Sequence, residues 1–356
     1  MKFSLPAGLL RTAIATAGHA TPRNPQLIAY SGVLVQLSGT VCFAIGSSGE
    51  VTIAARVNVA KAASDGQALV PPGPVSRYLA TLPADQEITA SADDSSDFTI
   101  SLPGRSSPYT FRQIPAAFPM PAASTGETAD VDFTRLQAAV RSVRTAADAS
   151  GVQLLSSGRE LVLSTTDTYR LARVALPEAG FGQFCGQLSL AALDTITRQR
   201  IDKVTTDQDG RVLRLSGPDV VISTKLLATP FPDVSGIAPA PGAQVFTMER
   251  AALVQALEHL SAVATDITPL HCAVRNNDLV LSVDSTDVGS GSETIAISSG
   301  PQAELEFAVK LTFLSEAIAS HDCQYLDLHF CGPNQALFFT SQEPFSTTTV
   351  VMPVSM

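Results

Sequence analysis

Apolar positions along this chain alternate between two spacings, and the alternation recurs three times. Leu9, Leu10, Ala13, Ile14 and Ala17 fall at helical spacing, so the pattern predicts a helix that Gly18 ends. Pro6 suits its first turn, where a missing N–H costs nothing. Residues 2–4 read as a strand before it, and residues 33–37 and 41–43 as a strand pair after it. A second helix is expected after Pro72-Gly73, with Val75, Leu79 and Leu82 on one side and Pro83 closing it. The same order then returns. A helix carries Leu136, Val140 and Val143, strands follow at 152–155 and 161–163, and a second helix begins after Ser189 with Leu193 and Ile196 inward. The third passage has Leu253, Leu257 and Leu260, then strands at 272–275 and 279–281, then Leu311, Leu314 and Ile318. Each passage closes on a Gly/Pro turn and a strand: Pro103-Gly104 before Tyr109, Gly217-Pro218 before Val220, Gly332-Pro333 before Ala336.

A period of roughly 120 residues is long enough for each copy to be a small domain. The expected domains are 1–121, 131–239 and 245–356. Residues 116–130, rich in Pro, Ala, Ser and Thr, and the run Ala238-Pro239-Ala240-Pro241-Gly242 have the composition of connectors. Three like domains suggest a geometric object, an arc or ring, more than a pocket.

Composition narrows the class. At 356 residues and 45% hydrophobic content, the chain can build two or three packed cores. It has no apolar run long enough to span a bilayer, and Met1-Lys2-Phe3-Ser4-Leu5-Pro6 lacks the apolar core of a secretion signal. Cys42, Cys185, Cys272, Cys323 and Cys331 are odd in number and scattered, so they read as thiols in a reducing compartment. A cytoplasmic location is the expectation. A net charge of −10 argues against coating by nucleic acid through bulk charge, yet leaves room for one basic face.

Enzymatic readings find little support. His321 with Cys323 and His329 with Cys331 resemble paired metal ligands, but no other pair has metal-finger spacing. Gly46-Ser47-Ser48-Gly49 lacks the order of a nucleophile elbow, and neither a Walker loop nor a dinucleotide fingerprint is present. Asp93, Asp94 and Asp97 sit in a Ser-rich loop and read as solvated. No catalytic residue, cofactor or metal is therefore expected. A hydrolase or metal enzyme in a repeat scaffold is the competing reading from another class.

Four segments carry a resemblance across essentially the whole chain. They are Arg23-Asn24-Pro25-Gln26-Leu27 with Ser31-Gly32-Val33-Leu34-Val35; Thr165-Thr166-Asp167-Thr168-Tyr169-Arg170-Leu171-Ala172; Lys225-Leu226-Leu227 through Phe231-Pro232-Asp233; and Val350-Val351-Met352-Pro353-Val354-Ser355-Met356. In this order and inside a threefold repeat, they resemble the bacterial DNA polymerase III β subunit family, the sliding clamps. The resemblance implies an α+β DNA-clamp fold, each domain pairing two helices with antiparallel sheets. It also implies a head-to-tail homodimeric ring around duplex DNA, non-catalytic and without cofactor.

Three sets of residues follow from it. A clamp that slides needs a diffuse cationic lining that reads no bases. The candidates are Arg11, Arg77, Arg135, Arg141, Arg144, Arg198, Arg200, Lys203, Arg250 and Lys310, with Arg23 matching a loop arginine of the family. Arg198, Arg200 and Lys203 are expected near the end of the second helix of repeat two, where they would also suit the helix dipole. Repeat three is poor in helical cations, so the lining is expected to be uneven. The family places a groove for short peptides of the polymerase III α subunit, the clamp loader, other polymerases and repair proteins. Its matching positions are Thr166, Thr168, Tyr169, Arg170, Leu171, Pro232, Ile237, Val350, Val351, Met352, Pro353, Val354 and Met356. An extended peptide with Leu and Phe anchors needs such an apolar slot with a few polar guides. Gly236 and Ser355 stand where relatives often have arginine, and Thr168 and Tyr169 replace small and histidine residues. Tyr109 and Phe111, on one strand face, match the family's subunit contact, with Val263 and Ile267 as the expected complement. The departures at the groove rim also raise an alternative role, a diverged second clamp serving repair, a mobile element or inhibitor resistance.

Overall fold

A computed structural model describes residues 1–92, 97–121, 126, 128–144, 146, 151–206 and 211–354. Asp93, Asp94, Ser355 and Met356 lie outside the described residues. The first stretch runs β1 (Lys2–Pro6), α1 (Ala7–Gly18), β2 (Val33–Ser38), β3 (Val41–Ser47), β4 (Val51–Asn58), β5 (Lys61–Ser64), β6 (Gly66–Val70), α2 (Pro72–Ala80), β7 (Glu87–Ser91), β8 (Phe98–Ser101) and β9 (Tyr109–Phe111). The second runs β10 (Thr128–Asp130), α3 (Phe133–Arg144), β11 (Val152–Gly158), β12 (Leu161–Thr166), β13 (Arg170–Leu176), β14 (Gly182–Leu188), α4 (Leu190–Ile196), β15 (Lys203–Thr206), β16 (Val212–Ser216) and β17 (Val220–Lys225). The third runs β18 (Gln244–Glu249), α5 (Arg250–Ser261), β19 (Pro269–Arg275), β20 (Asp278–Ser285), β21 (Gly289–Ser299), β22 (Leu305–Lys310), α6 (Leu311–Ala319), β23 (Tyr325–Phe330), β24 (Leu337–Ser341) and β25 (Ser346–Val351). Apart from the short β5 and a 3-10 turn at Ile28–Ser31, each stretch repeats one order among the described residues: a strand, a helix, four strands, a helix, three strands.

The helices form where apolar spacing demands them. α1 buries Ala7, Leu10, Ala13, Ile14 and Ala17, one stripe at helical period. Leu9, expected inward, is 46% exposed, because the stripe is centred on the Leu10–Ile14–Ala17 ridge and passes it by. Pro6 is the last strand residue and the N-cap, not the first helical residue, since its fixed φ serves both conformations. Ser189 caps α4: its Oγ accepts from the Ala192 N–H at 3.2 Å, while Leu193 and Ile196 are buried. α4 stops at Ile196, so Arg198, Arg200 and Lys203 lie beyond it, Arg198 in a turn, Arg200 in the irregular stretch after it and Lys203 at the start of β15. The Arg198 N–H donates to the Thr195 carbonyl, a tight turn that closes the helix early.

The chain forms two compact units, Met1–Phe133 with Asp194–Leu226, and Thr134–Leu193 with Leu227–Met356. The units cut through the central stretch because strand pairing ties its parts to different neighbours. The first unit holds a five-stranded sheet in the order β5-β1-β7-β8-β9 and an eight-stranded sheet in the order β10-β15-β16-β17-β4-β3-β2-β6. Its core gathers Phe3, Leu5, Leu10, Ile14, Phe98 and Ile100. The second holds a twelve-stranded sheet in the order β14-β11-β12-β13-β25-β24-β23-β18-β21-β20-β19-β22. Its largest described core includes Phe246, Leu253, Leu257, Phe307, Leu314 and Phe339. Among the described residues no helix is long and apolar enough to cross a membrane.

One pairing rule recurs. β17, the last strand of the second stretch, pairs antiparallel with β4, the third strand after the first helix of stretch one. β25, the last strand of the third stretch, pairs in the same way with β13, the equivalent strand of stretch two. The remaining members of this series are β9 and β21. Among the described residues β9 ends its sheet, paired with β8 alone. β21 pairs with β20 along its length, but only its Ile297–Ser299 end meets β18.

Candidate functional site

Because directly paired antiparallel residues share a face, register places the groove residues. One row crosses the sheet of the second unit through Thr166, Leu171, Val350, Phe338, His329 and Val245. Leu171, Phe338 and Val350 join Val234 in a small buried apolar cluster, with Phe231 and Ala336 packed against it. This cluster lies on the face opposite the main core. Alternation shows it, since Val351, Leu337 and Phe339 belong to that core. The rim remains open to solvent: Tyr169 is 62% exposed, and Ile237, Met352 and Val354 are each about two-fifths exposed. Thr168 and Pro232 are exposed and Pro353 half-buried. The result is an apolar floor with an amphipathic rim, a form that suits an extended peptide.

The turn before β13 is tightly specified. Asp167 Oδ1 accepts from the Tyr169 N–H at 3.0 Å and the Arg170 N–H at 2.8 Å. Thr166 Oγ1 donates to the Arg170 carbonyl at 2.7 Å and accepts from the Thr168 N–H at 3.2 Å. These bonds hold Thr168 at φ +77°, a left-handed conformation that a β-branched residue adopts at a cost of roughly 1–3 kcal/mol. The Met352 N–H donates to the Tyr169 carbonyl at 2.9 Å, and the Val354 N–H to the Ala308 carbonyl at 2.8 Å, which lays the tail along the groove.

Two residues expected in the groove face away from it. Arg170 follows the opposite face of β13 from Leu171. Its Nε donates to Asp167 Oδ2 at 2.8 Å, its Nη1 pairs with Glu316, and its guanidinium lies 4.4 Å from the centre of the Phe313 ring. It pins the turn to α6. Val351 is wholly buried among core residues for the same reason of alternation. Val234, Phe338, Phe231 and Ala336 were not expected. The apolar triplet Leu337-Phe338-Phe339, with both strand faces apolar, was the available signal.

At the strand edges, Tyr109 is 45% exposed and Phe111 half-buried. Both rest on Tyr78 of α2, with ring centres 4.1 and 5.7 Å away. In the second unit Ile267 is 90% exposed, while Val263 packs on the core. A Cβ at Gly291 would lie 3.3 Å from Val263, so Val263 borders the part of β21 that β18 leaves unpaired.

The cations fall into two groups. Arg77, Arg141, Arg144, Arg198, Arg200, Lys203 and Arg23 are exposed, and Arg11 is half-buried on α1. Arg135, Arg250 and Lys310 are engaged within the chain. Arg135 Nη2 donates to the Pro177 carbonyl at 2.9 Å, Arg250 Nε to the Ile318 carbonyl at 3.2 Å, and Lys310 Nζ lies 5.0 Å from the centre of the Phe313 ring. The histidines of the metal reading are bonded to hydroxyl groups. His321 Nδ1 meets Ser341 Oγ at 2.8 Å and its Nε2 meets Thr349 Oγ1 at 3.0 Å; His329 Nε2 meets Thr340 Oγ1 at 2.9 Å. Burial, with Arg250 nearby, pushes the His321 pKa from 6.5 to about 4.

Solved structures share this architecture. The DNA polymerase III subunit beta of Pseudomonas aeruginosa superposes with a TM-score of 0.91 at 18% identity, covering all of both chains. That of Thermotoga maritima superposes at 0.86 and 19% identity, covering all of this chain and 99% of its own. The fold is the DNA-clamp fold. Residues 236–355 match the model of the DNA polymerase III beta subunit, C-terminal domain. The beta sliding clamp of Synechococcus elongatus is 22% identical over the whole of both chains, and that of Streptomyces coelicolor 25% identical over 93% of this chain and 91% of its own. A match to the Synechocystis beta sliding clamp, 24% identical, spans 58% of each chain. The chain is thus similar to DNA polymerase III beta subunits along its whole length, and the family model itself covers residues 236–355.

Proposed function

We propose that this chain is a DNA sliding clamp, acting without a catalytic step in the cytoplasm as a head-to-tail homodimer. The observation that carries the proposal is the pairing series. β17 joins β4 and β25 joins β13, so the same rule sends β9 of one copy to β21 of a second. A heterologous contact of this kind closes into a ring when the rotation divides a full turn. In this reading the stretches 1–121, 131–239 and 245–356 are the three clamp domains. Tyr109 and Phe111 meet the region of Val263 and Ile267 on the partner. The exposed cations on and beside the helices attract duplex phosphates weakly and without sequence preference. The groove floored by Leu171, Phe338 and Val350 receives short peptides of polymerase III and other replication or repair proteins. Retention follows from encirclement, so tight contacts are not needed.

The test is loading onto nicked circular DNA followed by linearisation. Retention on circles and loss from linear ends is the expected result. Equal retention on both would overturn the proposal.

A further inference from the structure

Two residues beyond Leu171 on β13, and so on the same face, stands Arg173. By register it belongs to a polar row next to the apolar floor: Gln153, Ser164, Arg173, Thr348, Thr340 and Asp327. The spacing along a strand puts its Cα about 7 Å from that of Leu171. Arg173 is half-buried, yet no carboxylate among the described residues pairs with it. Its cross-strand partners are Ser164 and Thr348, and its diagonal neighbours Val162, Thr166, Ser346 and Val350 are also uncharged. The nearest acid on the row, Asp327, is three strands away, about 14 Å by strand spacing. Asp327 is itself occupied, its Oδ1 accepting from Thr247 Oγ1 at 2.6 Å. By contrast Arg170, the other arginine of this strand's start, is paired twice on the far face.

A guanidinium that is partly desolvated, flanked by hydroxyls and set beside an apolar slot is suited to a carboxylate that arrives with a ligand. We infer that Arg173 reads a carboxylate carried by the partner peptide, one step along the sheet from its apolar anchors. The inference rests on the groove being the peptide site. It adds that this clamp selects acidic-flanked peptides over amide-flanked ones, and that Arg173 is the residue that does so.

The test uses the full chain and fluorescein-labelled extended peptides with Leu and Phe anchors. A single Asp is moved through the flanking positions, and each peptide has an Asn twin. Anisotropy titrations are run with the unaltered chain, Arg173→Gln and Arg173→Lys, with circular dichroism melts as the folding control. At one or two flank positions the Asp peptide should bind the unaltered chain about five- to tenfold more tightly than its twin. That ratio should fall close to one in Arg173→Gln, return in part in Arg173→Lys, and shrink at high salt. An Asp/Asn ratio of one at every position, or a preference that survives Arg173→Gln, overturns the inference and leaves the groove reading standing. Failure of all the peptides to bind removes the groove reading and the inference with it.

Discussion

Ile267 offers a sharp test of ring closure. At 90% exposure it has almost no contact with its own chain, so replacing it by Asp should leave the fold intact, within about 0.5 kcal/mol. If a partner copy covers it, the transfer of one isoleucine side chain out of water is worth about 1.5–3 kcal/mol. A head-to-tail dimer uses the interface twice, so Ile267→Asp removes roughly 3–6 kcal/mol of closure. At 1.4 kcal/mol per tenfold, the dimer dissociation constant should rise about 10²- to 10⁴-fold. Sedimentation velocity from nanomolar to micromolar concentration reads that change, and a thermal melt reads fold stability separately. A dimer constant within threefold of the unaltered chain would refute the reasoning. So would a melt lowered in step with dissociation, because Ile267 would then be packed within its own chain.

Two further outcomes concern the sheet that carries the groove. Arg170→Ala removes the partner of Asp167 Oδ2, leaving the carboxylate, 14% exposed, with its two backbone N–H donors alone, and leaves Glu316, 44% exposed, to solvent screening. A loss of about 2 kcal/mol in urea unfolding is expected, less than for a fully buried pair. A double-mutant cycle with Glu316→Gln should give measurable coupling, and a loss under 0.5 kcal/mol would count against the pinning role. His321 supplies a pH dependence. Burial lowers its folded pKa from 6.5 to about 4, so the unfolded chain takes up the proton first. Its contribution is therefore complete above pH 6.5 and lost as pH falls toward 4, about 3 kcal/mol in all. Urea unfolding at pH 7.5 and 4.5 should show a smaller acid loss for His321→Gln than for the unaltered chain; identical losses would contradict the assignment.

The helices were legible because each buries an apolar stripe at a period nothing else in the chain imitates. Leu136–Val140–Val143 and Leu311–Leu314–Ile318 are examples. Helix ends were harder. Arg198 and Arg200 carry no apolar signal to mark where α4 stops, and the backbone turn at Thr195 to Arg198 decides it. The groove was legible as a set of segments but not as a surface. A resemblance transfers consecutive residues, whereas a strand sends consecutive residues to opposite faces. Hence Arg170 and Val351 were grouped with Leu171 and Val350, from which alternation separates them. Phe338 was missed because pairing with Val350 is a long-range fact, set by register across β24 and β25. The sheet joins β17–β4 and β13–β25 were invisible for the same reason.

That register is also what keeps the groove and the core from interfering. On β25, Thr347, Thr349 and Val351 are almost fully buried on one face, while Val350 floors the groove on the other. A slip of one residue against β13 would exchange the two sets. The same slip made by β13 would turn Arg173, the only charged residue of that strand beyond its first position, toward the apolar core. His321 adds a polar check on the core side, because its two ring nitrogens meet hydroxyls on β24 and β25 at once, Ser341 and Thr349. Shifting either strand by one residue would strand a buried ring nitrogen at a cost of about 1–3 kcal/mol. The groove's shape is thus held from behind, by bonds on the core side of the sheet. Its rim at Tyr169, Ile237 and Met352 stays exposed, so its side chains can vary without disturbing the sheet.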